Sequence, residues 1–303
     1  MGTPASAAAS LERLLEGPDP VVGVVTQPDR PAGRGQKVAP SPVRKVAESH
    51  DKPVLAPERI RDLGFLEALK SWVPELIVVV AYGRILPRSI LELPPQGCLN
   101  VHYSLLPRYR GAAPIPWALL NGEDKSGVTT MRLVEKMDAG PILLQEEVSL
   151  GPNETTGSLE AKLTPVGGRL LLETIRRLKE GSITPRLQRE EDATYAPMLK
   201  KEDGRIDWTQ SAQAIERRIR AFCPWPSAYT YWQGRLVKVF RAALVSMEER
   251  ASPGEVVRAD RAGLWIATGQ GVLSLEEVQL ENRKRLPAAE FLKGARIEKG
   301  ARL

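Results

Sequence analysis

Three side chains of complementary chemistry stand near predicted strand ends: the Asn100 amide, the His102 imidazole and the Asp138 carboxylate. Asn100 and His102 close a short run at 98–102 that gains polar groups toward its C-terminal end. Two residues apart on a strand, they point the same way. Asp138 sits in Met137-Asp138-Ala139-Gly140-Pro141, between two further predicted strands. Open α/β sheets bind ligands at the carboxyl ends of their strands, so these three groups could converge there as an acid–base site. Spacing alone favours a plainer reading, in which a strand-end histidine is satisfied by its neighbours and Asp138 makes an Asx turn.

The elements that must position these groups alternate along the first part of the chain. Strand-like apolar runs occupy 21–26, 76–81, 98–102, 127–134 and 142–148, and helical patterns cover 41–50, 57–72 and 159–179. In the second helix Ile60, Leu63, Leu66 and Leu69 recur at helical spacing. This order predicts an α/β domain over residues 1–182, built on a Rossmann-like, doubly wound, mostly parallel sheet. Residues 183–202 are polar and aperiodic and read as a linker. A helix at 211–222 then precedes five short strand-like runs between 228 and 279, punctuated by Gly234, Gly254, Gly263 and Gly271. Residues 203–303 are therefore expected to form a C-terminal OB-like β-barrel domain.

The chain of 303 residues has the apolar content of an ordinary globular protein and lacks a run long enough for a membrane helix. A cytoplasmic protein is expected, with a monomer as the default. Two cysteines and two histidines, none at metal-ligand spacing, give no reason to invoke a disulfide scaffold or a metal site. The net charge of +6 is concentrated in residues 201–303, which carry 18 basic and 13 acidic side chains. A basic domain beside a nearly neutral one fits a polyanionic partner.

The run Asn100-Val101-His102-Tyr103-Ser104-Leu105-Leu106-Pro107, continued by Arg108-Tyr109-Arg110-Gly111-Ala112-Ala113-Pro114, closely resembles the motif of folate-dependent formyltransferases. In that family an Asn-x-His pair precedes a Ser-Leu-Leu-Pro loop and an Asp follows downstream; Asp138 lies 38 positions after Asn100. A second segment, Thr26-Gln27-Pro28-Asp29-Arg30-Pro31-Ala32-Gly33-Arg34-Gly35-Gln36-Lys37, is similar to the basic loop of the methionyl-tRNA formyltransferases, with Arg34 and Lys37 at the matching positions. Val80-Ala81-Tyr82-Gly83, Ile206-Asp207-Trp208 and Phe222-Cys223-Pro224-Trp225-Pro226 extend the resemblance over nearly the whole chain.

The resemblance implies 10-formyltetrahydrofolate as formyl donor and the α-amino group of methionyl-initiator-tRNA as acceptor. It implies catalytic roles for Asn100, His102 and Asp138, a folate pocket lined by Ser104, Leu105, Leu106 and Pro107, and tRNA contacts from Arg34 and Lys37. On that reading Asn100 donates to the developing oxyanion, with His102 as a second candidate donor, and Asp138 orients His102 and relays the amine proton. No metal is required. RNA binding would be electrostatic and sensitive to salt.

The sequence departs from the family at its start. Members usually open with a short apolar strand before Gly-Thr-Pro; here only Met1 precedes Gly2-Thr3-Pro4, so the first strand of the sheet is expected to be missing. Ala5 and Ser6 also replace the usual acidic residue and phenylalanine. Two other readings stay open: a folate-dependent formyltransferase with another acceptor amine, and a non-catalytic RNA-binding relative.

Overall fold

The structure, a computed structural model, describes residues 1–32, 37–247 and 251–303, with side chains at all of these except 30–32 and 37–38. The elements follow in the order α1 (Ala5–Glu16), β1 (Val24–Val25), β2 (Arg30–Ala32), β3 (Lys37–Ala39), α2 (Pro42–Ser49), β4 (Val54–Leu55), α3 (Leu63–Ser71) and β5 (Ile77–Val79). Next come α4 (Arg88–Leu91), β6 (Cys98–His102), α5 (Pro114–Leu120), β7 (Lys125–Arg132), β8 (Ile142–Ser149) and α6 (Thr156–Lys179). The remainder is α7 (Ala212–Ala221), β9 (Ala228–Trp232), β10 (Arg235–Val245), β11 (Val256–Asp260), β12 (Gly263–Ala267), β13 (Val272–Leu280), β14 (Leu286–Pro287) and α8 (Ala288–Ala295). Two compact units divide the chain: residues 1–114, 125–149 and 160–197 form one, and 115–124, 150–159 and 198–303 the other.

The first unit is mixed α/β. Strands β1 and β4 pair in parallel, as do β5 and β6, whereas β6–β7 and β7–β8 are antiparallel. The antiparallel edge has a simple cause. Residues 133–141 join β7 to β8, fewer than the dozen or so that a parallel crossover needs. Strand β6 is buried along its whole length. Its Val101 packs on Gly167 of α6, where a Cβ would come within 3.2 Å of the valine and 3.1 Å of the Tyr103 ring. A larger residue here would have to push both side chains aside by a few tenths of an ångström.

Helix α3 is shorter than its apolar period suggests. It starts at Leu63 because the Asp62 carboxylate accepts the Gly64 N–H at 2.9 Å and caps it there. The first two residues lie between β1 and β5. Gly2 N donates to Val25 O at 3.0 Å, Val80 N donates to Met1 O at 2.9 Å, and the Met1 ammonium donates to Val78 O at 2.5 Å. Two residues thus link β1 and β5, and a cavity of about 380 Å³, lined by Val24, Leu69, Trp72 and Ile77 among others, lies beside them. Burial lowers the Met1 ammonium to about 5.

In the second unit the antiparallel path β11–β12–β13–β10–β9 carries β14 on β13. Among the described residues no pairing joins β9 to β11, so the sheet is an open path. Its core gathers Ile215 and Ile219 of α7, Val237 and Val239 of β10, Leu273 and Leu275 of β13, and Phe291 of α8.

Candidate functional site

The site is assembled on three adjacent strands of the first unit. Register places His102 opposite Thr129, and Thr129 opposite Gln145, so one row of side chains crosses β6, β7 and β8. Asn100 shares this face of β6, opposite Met131. Its side chain is mostly buried, and its amide makes no hydrogen bond to any described residue. An uncommitted amide donor in a largely buried position is suited to meet a substrate oxygen.

His102 is held from two sides. Its Nε2 lies 2.9 Å from the Tyr109 carbonyl. A carbonyl only accepts, so Nε2 carries the hydrogen and Nδ1 is the nitrogen left to take a proton. Nδ1 faces Asp138 Oδ2 at 3.8 Å, too far for a hydrogen bond but close enough for a charge pair once the ring is protonated. The same carboxylate oxygen accepts the Gly111 N–H at 2.8 Å. Asp138 adopts a left-handed backbone (φ 49°), a conformation aspartate tolerates better than most residues. Gly140 is required two residues later, because a Cβ there would sit 1.8 Å from the Arg132 carbonyl.

The loop after β6 is fixed by polar bonds rather than by apolar packing alone. Ser104 Oγ donates to Arg108 O at 2.6 Å, and Thr129 Oγ1 donates to Ser104 O at 2.6 Å. Thr129 Oγ1 also accepts Leu106 N–H at 3.2 Å and a Gln145 Nε2 hydrogen at 2.8 Å, so every hydrogen-bonding capacity of this buried hydroxyl is used. Leu106 packs into a small core with Met131 and Ile142, whereas Leu105 and Pro107 stay half-buried. Tyr109 has a left-handed backbone (φ 62°) and is held by Thr194 Oγ1, which accepts its N–H at 2.9 Å.

Residues missed by the sequence reading come from the aperiodic segment after α6. Arg186 N and O exchange 2.8 Å hydrogen bonds with Ile142, and the Arg110 main chain is gripped by Thr194 O and Ala196 N, both at 2.8 Å. The Arg110 guanidinium is buried against Gln188 Oε1 (3.0 Å) and Glu190 Oε2 (2.9 Å). Hydrogen bonds from Lys136 and Arg110 hold the Glu190 carboxyl down at about 2. No residue type in that segment signals these contacts, because the burial of Arg110, which makes partners necessary, is visible only in the structure.

The structure thus brings His102 and Asp138 together and sets Asn100 on the same strand face as His102. Ser104 and Leu106 anchor the loop that Leu105 and Pro107 present. Arg34 lies outside the described residues, and of Lys37 only the main chain, in β3, is described.

Comparison with known proteins identifies the family. The formyl transferase family model matches residues 1–175, and that of the formyl transferase C-terminal domain matches residues 198–296. A methionyl-tRNA formyltransferase of Desulfotalea psychrophila is 51% identical over 98% of this chain and 92% of its own. One from Geobacter sulfurreducens is 46% identical over 100% of this chain and 95% of its own. Among solved structures, WlaRD, a sugar 3N-formyl transferase crystallised in the presence of dTDP and 5-N-formyl-THF, superposes with a TM-score of 0.66 at 18% identity, covering 93% of this chain and 97% of that one. The chain therefore belongs to the formyl transferase family, across both its N-terminal and its C-terminal parts.

Proposed function

We propose that this protein transfers the formyl group of 10-formyltetrahydrofolate to the α-amino group of methionyl-initiator-tRNA, the step that prepares the first amino acid of translation. The observation that carries this reading is the extent of likeness to proteins named for that acceptor, which spans both parts of the chain. Within the first unit, the free Asn100 amide and the His102–Asp138 pair supply the chemistry.

The neutral amine attacks the formyl carbon, a carbon–nitrogen bond forms, and negative charge collects on the formyl oxygen. Asn100 donates to that oxygen. The attacking nitrogen turns strongly acidic as its bond forms, so the Asp138 carboxylate can take its proton while His102, protonated at Nδ1, steadies the charge. The proton passes to the departing folate nitrogen, the old carbon–nitrogen bond breaks, and formyl-methionyl-tRNA and tetrahydrofolate leave. Folate binds along Ser104, Leu105, Leu106 and Pro107, the half-buried Leu105 and Pro107 offering apolar contact.

The division into a catalytic part (1–182), a connector (183–202) and an RNA-binding part (203–303) follows the same reading. The six-stranded antiparallel sheet of the second unit, whose core includes side chains of α7 and α8, serves as the OB-like RNA-binding domain, and Arg34 and Lys37 contribute further tRNA contacts. The enzyme works as a monomer in the cytoplasm.

Offering the purified chain 10-formyltetrahydrofolate with methionyl-initiator-tRNA, an amino sugar nucleotide or glycinamide ribonucleotide tests the acceptor. Formylation of the tRNA alone is expected. Preferential formylation of either small amine would overturn the assignment.

A further inference from the structure

Gln188 makes no hydrogen bond to the side chain of any of the three candidate catalytic residues, yet it closes a circuit among the segments that hold them. Its Nε2 donates to Asp138 O at 2.8 Å and to Gly140 O at 2.7 Å, while its Oε1 accepts from Arg110 Nε at 3.0 Å. This amide orientation is the only one the partners permit, because carbonyls only accept and a guanidinium only donates.

The circuit runs through every contact that fixes the imidazole and the carboxylate. His102 Nε2 rests on Tyr109 O, and the next residue, Arg110, feeds Gln188. Gly111, one further on, donates its N–H to Asp138 Oδ2, and Gln188 grips the Asp138 and Gly140 carbonyls behind that carboxylate. Asp138 needs this restraint: its backbone is left-handed, and a gap of 3.8 Å to His102 leaves no direct hydrogen bond to fix the pair. Buried Arg110 makes the clamp stiff, since its main chain is pinned by Thr194 and Ala196 and its guanidinium by Glu190.

We infer that Gln188 is a positioning residue for the formyl-transfer reaction, setting the placement of the Asp138 carboxylate against His102 through the backbone of the turn 138–140. The inference rests on the catalytic reading of Asp138 and His102. A displacement of about 1 Å at a reacting group costs up to roughly 10²-fold in rate, so the effect belongs in kcat rather than in substrate affinity.

Two variants separate the possible roles. Gln188→Met keeps the length and removes all three hydrogen bonds; Gln188→Glu keeps the acceptor for Arg110 and removes both donors to the turn. Both are compared with native enzyme for kcat, for KM toward methionyl-tRNA and toward the folate donor, and for melting temperature. Each is also combined with Asp138→Asn, and the His102 imidazole nitrogens are followed by NMR in the folded proteins. Expected is a roughly 10- to 100-fold fall in kcat in both single variants, KM values within about twofold, displaced His102 imidazole nitrogen resonances, and no further loss when Asp138→Asn is already present. Native kcat in Gln188→Glu would overturn the inference, leaving Gln188 as a partner of Arg110 alone. So would a loss that tracks melting temperature and adds fully to that of Asp138→Asn. If Asp138→Asn by itself leaves kcat unchanged, the catalytic reading beneath the inference fails instead.

Discussion

Thr129 Oγ1 donates to the carbonyl of Ser104 at 2.6 Å from the neighbouring strand, and through that one bond β7 sets the course of the loop that follows β6. The same oxygen receives Leu106 N–H and the Gln145 amide. A single hydroxyl therefore ties β7 and β8 to the loop after β6, the one proposed to bind folate.

Replacing Thr129 by valine keeps the volume and β-branching and deletes the hydroxyl. The Leu106 N–H is then buried with no partner, which costs about 1–3 kcal/mol. Thermal unfolding should show that loss, and KM for the folate donor should rise more than KM for the tRNA. Native-like melting and an unchanged donor KM would show that the loop holds its shape without Thr129.

Gly140→Ala tests the turn that presents Asp138. The new Cβ would overlap the Arg132 carbonyl at 1.8 Å, and backbone cannot yield as a side-chain tip does. Overpacking of this kind costs about 1–3 kcal/mol or more. Differential scanning calorimetry should register it, and activity measured well below the melting temperature should fall because the carboxylate shifts. An alanine variant with native stability and native rate would contradict the geometry of the turn.

Cys98 opens β6, two residues before Asn100, and burial pushes its thiol up to about 12. On the order of one molecule in 10⁴ then carries the thiolate at pH 8. Iodoacetamide labelling followed by mass spectrometry should modify half-buried Cys223 first and leave Cys98 intact until the protein unfolds. Rapid alkylation of Cys98 in the native protein would mean that the β6 end of the sheet opens readily.

Much of this architecture was legible in the sequence, and its gaps have physical reasons. Strands at 98–102 and 228–232 were readable to the residue because short apolar runs with turn residues on either side bound them. The helical period at 57–72 overran the true start at Leu63, since capping by Asp62 and not apolar spacing decides where that helix begins. Antiparallel pairing of β7 with β8 depends on loop length, and the open path of the second sheet on closure; neither leaves a mark on residue type. The candidate site was visible only through motif resemblance. That Asp138 approaches His102 depends on a chain excursion between β6 and β8, and the supports of both residues, Thr194, Ala196 and Gln188, come from a segment with no period at all. Its order arises from hydrogen bonds to Arg110 and Ile142, far away in sequence.

The central claim is that the Asn100 amide stabilises the oxyanion of formyl transfer. Single-turnover formylation of methionyl-initiator-tRNA from 10-formyltetrahydrofolate, by native enzyme and by Asn100→Ala, measures it most directly. Loss of one such donor lowers the rate about 10²–10³-fold, with tRNA and folate binding retained. A native rate in Asn100→Ala would contradict the account and place the oxyanion elsewhere.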